Sequence, residues 1–145
     1  MKLIKYFIIY FFLIFSTSAN TAENFFENAK NLYEKEEYDD SKFLFQRNIV
    51  FNPKNAESYL YLAKIFNTEE NQEEEEKNLD TTLLLEPNNE EAIYMLINIQ
   101  LDRSNFDKAN TLMERFTSVC KKMCNKKIEI SKSLQDIEAN NEKTN

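Results

Sequence analysis

The chain has 145 residues, 25 acidic against 18 basic, a formal charge of −7, two Pro, two Cys and no Gly, His or Trp. Without Gly there is no backbone-cradled phosphate loop, and without His there is no imidazole base, no Ser-His or Cys-His pair and no His-ligated metal. Tight hairpins want Gly at positive φ, so an all-β fold is disfavoured and a helical single-domain protein remains.

Lys2 and Lys5 precede the apolar run from Tyr6 to Phe15, which gives way to Ser16, Thr17, Ser18 and Ala19. A basic start, an apolar centre and a small-residue exit describe a secretory signal peptide over residues 1–19, cut after Ala19. The alternative is an uncleaved membrane anchor, although the run is short of the ~20 apolar residues a spanning helix needs. Export would take the two cysteines to an oxidising compartment, and a bacterial periplasm is the expected address. Residues 20–145 carry 16 basic and 25 acidic side chains. That balance repels nucleic acid and anionic lipid, so neither is an expected partner, and a membrane enters only if the N-terminal segment is retained.

The rest of the chain has an internal period. Phe51-Asn52-Pro53-Lys54-Asn55-Ala56-Glu57 and Leu85-Glu86-Pro87-Asn88-Asn89-Glu90-Glu91 are one phrase repeated, with the prolines 34 residues apart. Each Pro ends a helical pattern, and the Asn and Glu that follow suit the start of the next helix. Tyr38-Asp39-Asp40-Ser41 returns as Phe106-Asp107-Lys108-Ala109 after 68 residues, twice the same interval. Helix-turn-helix units of this length ending in Pro resemble the tetratricopeptide repeat. The resemblance implies an all-α solenoid of three repeats, 22–55, 56–89 and 90–123, within a domain spanning 20–139. Met123, Ile130, Leu134 and Ile137 form one helical stripe, which predicts a capping helix at about 125–139 before a disordered tail over 140–145.

In this family the first helix of a repeat packs through bulky, small and bulky residues. Phe25, Asn28, Ala29 and Leu32 fill those places, then Tyr59, Leu62, Ala63 and Phe66, then Ile93, Leu96, Ile97 and Gln100. Second helices supply Tyr38, Ser41, Phe45 and Phe51, and later Phe106, Ala109, Met113 and Val119. The middle repeat departs from this, with Gln72 for the aromatic and Glu75 for a small residue. A buried unpaired charge costs several kcal/mol. The middle repeat is therefore expected to be the loosest, with Glu75 splaying the pair or reaching solvent or a lysine. Lys121 replaces the third Pro, so that helix is expected to run on.

The resemblance places a binding groove on the concave face lined by first helices. Its rungs would be Glu23, Glu57 and Glu91; Phe26, Leu60 and Tyr94; Lys30, Lys64 and Asn98; and Tyr33, Asn67 and Leu101. Apolar and long polar rungs in alternation suit a helix or extended peptide. Family members that clamp a terminal carboxylate use Lys, Asn and Arg, but the matching positions here hold Phe26, Lys30, Tyr61, Glu91 and Met95, which disfavours that mode.

The run Glu69–Glu76 is expected to be a solvated helix start rather than a metal site, since no Gly turn interleaves its carboxylates. Cys120 and Cys124 are candidates for a local disulfide, provided Lys121-Lys122-Met123 breaks the helix between them. Lys121, Lys122, Lys126, Lys127 and Lys132 make a basic end. The reading is an exported, non-enzymatic protein without cofactor or metal, binding other proteins or peptides and no small-molecule substrate, in an envelope scaffold or assembly role. The alternative is a self-associating structural module, tethered if its N-terminus is retained.

Overall fold

The computed structural model describes residues 20–144, with side chains described for 24–135. The expected signal peptide and the side chain of Ile137 lie outside those residues. Among the described residues there are seven helices and no strand: α1 (Asn20–Glu34), α2 (Tyr38–Phe51), α3 (Ala56–Thr68), α4 (Gln72–Leu85), α5 (Glu90–Asp102), α6 (Phe106–Val119) and α7 (Lys126–Thr144). None of them is long and apolar enough to cross a membrane. The chain divides into two compact units, Met1–Pro53 and Lys54–Asn145.

The turn inside each helix pair is built the same way. Glu36, Glu70 and Ser104, at intervals of 34 residues, have φ of 62°, 56° and 56°. Their amides bond the carbonyls of Tyr33, Asn67 and Leu101 at 3.0, 3.1 and 2.9 Å. The next amides, from Glu37, Asn71 and Asn105, reach back to Leu32, Phe66 and Gln100 at 3.0, 2.9 and 2.8 Å. These paired bonds satisfy carbonyls that a helix end leaves open, in the left-handed geometry glycine usually supplies. Here residues with a Cβ adopt it. Helix starts are closed by asparagine: Asn55, Asn71 and Asn89 accept from the amides of Ser58, Glu74 and Ala92 at 2.8, 3.3 and 3.0 Å.

The first unit is the hairpin of α1 and α2. Ala29 and Ser41 have no exposed surface, and the Ser41 hydroxyl donates to the Ala29 carbonyl at 2.8 Å. Small residues at this crossing let the helices close. Phe26 meets the buried Phe45 edge-on at 5.8 Å, and Phe25 stacks on Phe51 at 5.6 Å.

The second unit packs α3 to α7 around one core that includes Leu79, Ile93, Ile97 and Phe116, joined by Ile130 and Leu134 of α7. Loosening of the middle pair does not occur. Glu75 is buried, with 4% of its surface exposed, and Asn67 of α3 donates its side-chain amide to both carboxylate oxygens at 3.2 Å. The partner is thus an amide across the turn, neither solvent nor a lysine. Desolvation raises the Glu75 pKa, opposed by the Asn67 hydrogen bond. The neighbouring Glu76 takes Gln100 at 3.2 Å and the guanidinium of Arg103, tying α4 to α5. The third pair also departs from expectation. Its second helix does not run on: α6 stops at Val119, and Cys120 takes an extended ψ of 139°.

Candidate functional site

Of the groove residues expected on α1, Phe26 is a core residue with 9% of its surface exposed. Lys30 lies over its ring at 5.6 Å, and Tyr33 meets Tyr38 at 5.5 Å. In the second unit the expected rungs of α3 and α5 are joined directly. Lys64 pairs with Glu91 at 2.6 Å and sits over Tyr61 at 4.9 Å. Asn67 is committed to Glu75. Leu101 is half-buried and packs on the core, and Asn98 is half-buried between them in sequence. Tyr94 is not open: its hydroxyl donates to Glu129 at 2.7 Å, Lys126 lies over its ring at 5.1 Å, and its ring approaches Phe116 at 6.3 Å. Lys126 and Glu129 also pair at 2.7 Å. Their mutual hydrogen bond, with Tyr94 adding to it, raises the lysine pKa and lowers the glutamate's.

Cys120 and Cys124 are bonded, with Cα atoms 5.3 Å apart. The ring they close is gripped by Glu90 at the start of α5. Its carboxylate accepts the amides of Lys121, Lys122 and Met123 at 2.8, 3.0 and 3.1 Å. Desolvation pushes the Glu90 pKa up, but the three amide bonds outweigh it and the net shift is downward. This grip was not legible in the sequence, because three amides converge on one oxygen pair only once the ring is curled.

These elements border an open cleft of about 590 Å³ lined by Glu57 and Leu60 of α3, the loop Glu86–Asn89, Glu90 and Glu91 of α5, and Lys122 and Met123 of the ring. The Arg115 guanidinium donates to the Pro87 carbonyl of the loop. Glu57, Glu86, Glu90, Glu91 and Lys122 line it beside Leu60, Pro87 and Met123, with Glu91 paired to Lys64 and Glu90 holding the ring amides. Among the described residues no cluster of acids or cysteines could hold a metal ion.

No family model matches the chain, and no curated protein matches its sequence. Solved structures are similar to it in fold. The tetratricopeptide-repeat domain of Sgt2 from Aspergillus fumigatus superposes with a TM-score of 0.70 at 12% identity, covering 86% of this chain and 83% of that one. The chain has the tetratricopeptide-repeat fold. The first tetratricopeptide domain of Spaghetti (RPAP3), bound to the HSP90 peptide SRMEEVD, has a TM-score of 0.68 at 14% identity, over 83% of this chain and 98% of that one. The Yersinia enterocolitica type III secretion chaperone SycD, in complex with a peptide of the translocator YopD, has a TM-score of 0.73 at 15% identity, over 87% and 98%. Of the expected rung Glu23, Glu57 and Glu91, Glu57 and Glu91 line the cleft together with Leu60, and the side chain of Glu23 lies outside the described residues.

Proposed function

We propose that this tetratricopeptide-repeat protein binds a short segment of another protein in the cleft between α3, α5 and the disulfide ring, and that the segment carries Lys or Arg beside an apolar side chain. The cleft's charge is the observation that carries the reading: Glu57, Glu86, Glu90 and Glu91 line it against Lys122, and with Lys64 paired to Glu91 the excess is still acidic. Like charges facing each other cost affinity, so an acidic segment such as the one RPAP3 holds is disfavoured here. SycD and RPAP3, in complex with peptides, support segment binding as the mode. The test is binding of short synthetic peptides alternating Leu with Lys, Ser or Glu. The Leu-Lys peptide should bind tightest and lose affinity to a Glu57→Lys, Glu86→Lys variant of unchanged helicity. Equal binding of all three, or preference for Leu-Glu, would refute it.

Export belongs to the same proposal. The basic, apolar and small-residue order of residues 1–19 and the Cys120–Cys124 bond support a periplasmic, envelope-assembly role. Protein recovered from a periplasmic fraction should begin at Asn20. A second reading, self-association, draws on Phe43, Val50 and Phe51 of α2, which are 56%, 77% and 55% exposed. Sedimentation over a concentration series, with Val50→Glu as the control, tests it.

A further inference from the structure

We infer that the Cys120–Cys124 bridge is a redox latch that holds the last helix on the second unit and shapes one wall of the cleft. The test of the latch uses no bound segment, so it stands or falls apart from the peptide-binding reading. Its consequence for binding rests on that reading.

Three contacts hold α7. The ring amides sit on Glu90. Tyr94 meets Glu129 and Lys126. Ile130 and Leu134 are buried, at 1% and 8% exposed. The first two depend on how the chain arrives, because α7 starts only two residues after Cys124. The three amides can share one carboxylate only while the segment is curled, and the bridge keeps its ends 5.3 Å apart. Closing a loop this short restricts the free segment roughly thirtyfold on the chain-entropy relation. The ring also supplies Lys122 and Met123 to the cleft wall. Opening it releases Glu90 and that wall together, and it loosens the cover over Tyr94.

The reductant required is a dithiol. Its thiolate attacks one bridge sulfur, the S–S bond breaks, and the electron pair leaves on the other cysteine. The second thiol of the reductant then displaces the mixed disulfide and closes its own bond. Two electrons pass to the bridge, and two protons end on Cys120 and Cys124.

The experiment is amide hydrogen exchange on the full chain, oxidised and then reduced with dithiothreitol, beside a Cys120→Ser, Cys124→Ser variant. Reduction should speed exchange of residues 121–134 by ten- to thirtyfold and leave α3 to α6 unchanged. The double variant should exchange like the reduced form and ignore the reductant. Unchanged exchange over 121–134 would overturn the latch. So would equal acceleration throughout α3 to α6, which would make the bridge a general staple. A reductant response in the double variant would overturn it as well. Glu90→Gln in the oxidised chain should speed the amides of residues 121–123 alone, and a failure to do so would remove Glu90 from the mechanism.

Discussion

Among the described residues three occupy the left-handed region, in a chain without glycine, and this sets up a stability experiment with a calculable outcome. A residue with a Cβ in this conformation costs roughly 1–2 kcal/mol. Glycine escapes that cost but gives up about 0.5–1 kcal/mol more conformational freedom on folding. The difference predicts a gain of about 0.5–1 kcal/mol for Gly at position 36, 70 or 104. Ser104 is the cleanest site, since it is exposed, uncharged and at φ 56°. Glu36 and Glu70 lie in acidic stretches, where removing a charge also relieves repulsion, so Glu70→Gln serves to separate the two effects. The turns share no hydrogen-bond partner. Their gains should therefore add to about 2 kcal/mol, or roughly 6 °C in melting temperature for a chain of this size. Urea unfolding followed by circular dichroism would read it as a higher midpoint at constant slope. Ser104→Ala keeps the Cβ and should gain nothing. If Ser104→Gly leaves the midpoint where it was or lowers it, the left-handed turns carry no relievable cost and the reasoning fails.

Two further predictions concern carboxylates with opposite signs. The Glu75 pKa is raised on folding by burial, so the folded state binds the proton more readily than the unfolded chain. Its cost is present at neutral pH and fades as pH falls into the upper carboxylate range. Glu75→Gln should stabilise by on the order of 1 kcal/mol at pH 7 and flatten that part of the pH–stability curve. A destabilised variant would show that the Asn67 bond outweighs burial. Glu90 is the reverse: its pKa is lowered, so its contribution is full above the unfolded value and is lost as pH falls through the folded one. Glu90→Gln should cost about 1 kcal/mol at pH 7, after allowance for screening at a half-buried site, and nothing in strong acid. An equal loss at both pH values would point to packing rather than charge.

The architecture was readable because its signals are local. The repeated Pro phrases mark where second helices end, and Ala29, Ser41, Ala63 and Ala109, all with no exposed surface, stand where helices cross. The left-handed turns leave no mark in the sequence because the usual sign of them, glycine, is missing. Glu75 stands out in the sequence as a misfit, yet the same spacing places its partner Asn67 in the groove. Only the turn between α3 and α4 brings the two within hydrogen-bonding reach. Tyr94 suffered the same way: its partner Glu129 is 35 positions along the chain and reaches it by tertiary packing. Groove residues read from spacing alone are thus partly spent on holding the protein together; Glu57 and Glu91 were legible as a rung, whereas Glu86 and Glu90 join them only with the loop Glu86–Asn89 in place.

The bridge between Cys120 and Cys124 also has a mechanical side. Tension applied at the C-terminal end passes from Cys124 to Cys120 through the two sulfurs, so the strand between them is slack and its grip on Glu90 is spared the load. A segment of this length would stretch to roughly 13 Å if free, against the 5.3 Å that the bond allows. Each protein molecule therefore keeps roughly 8 Å of contour out of circulation, released only when the sulfur–sulfur bond is cut.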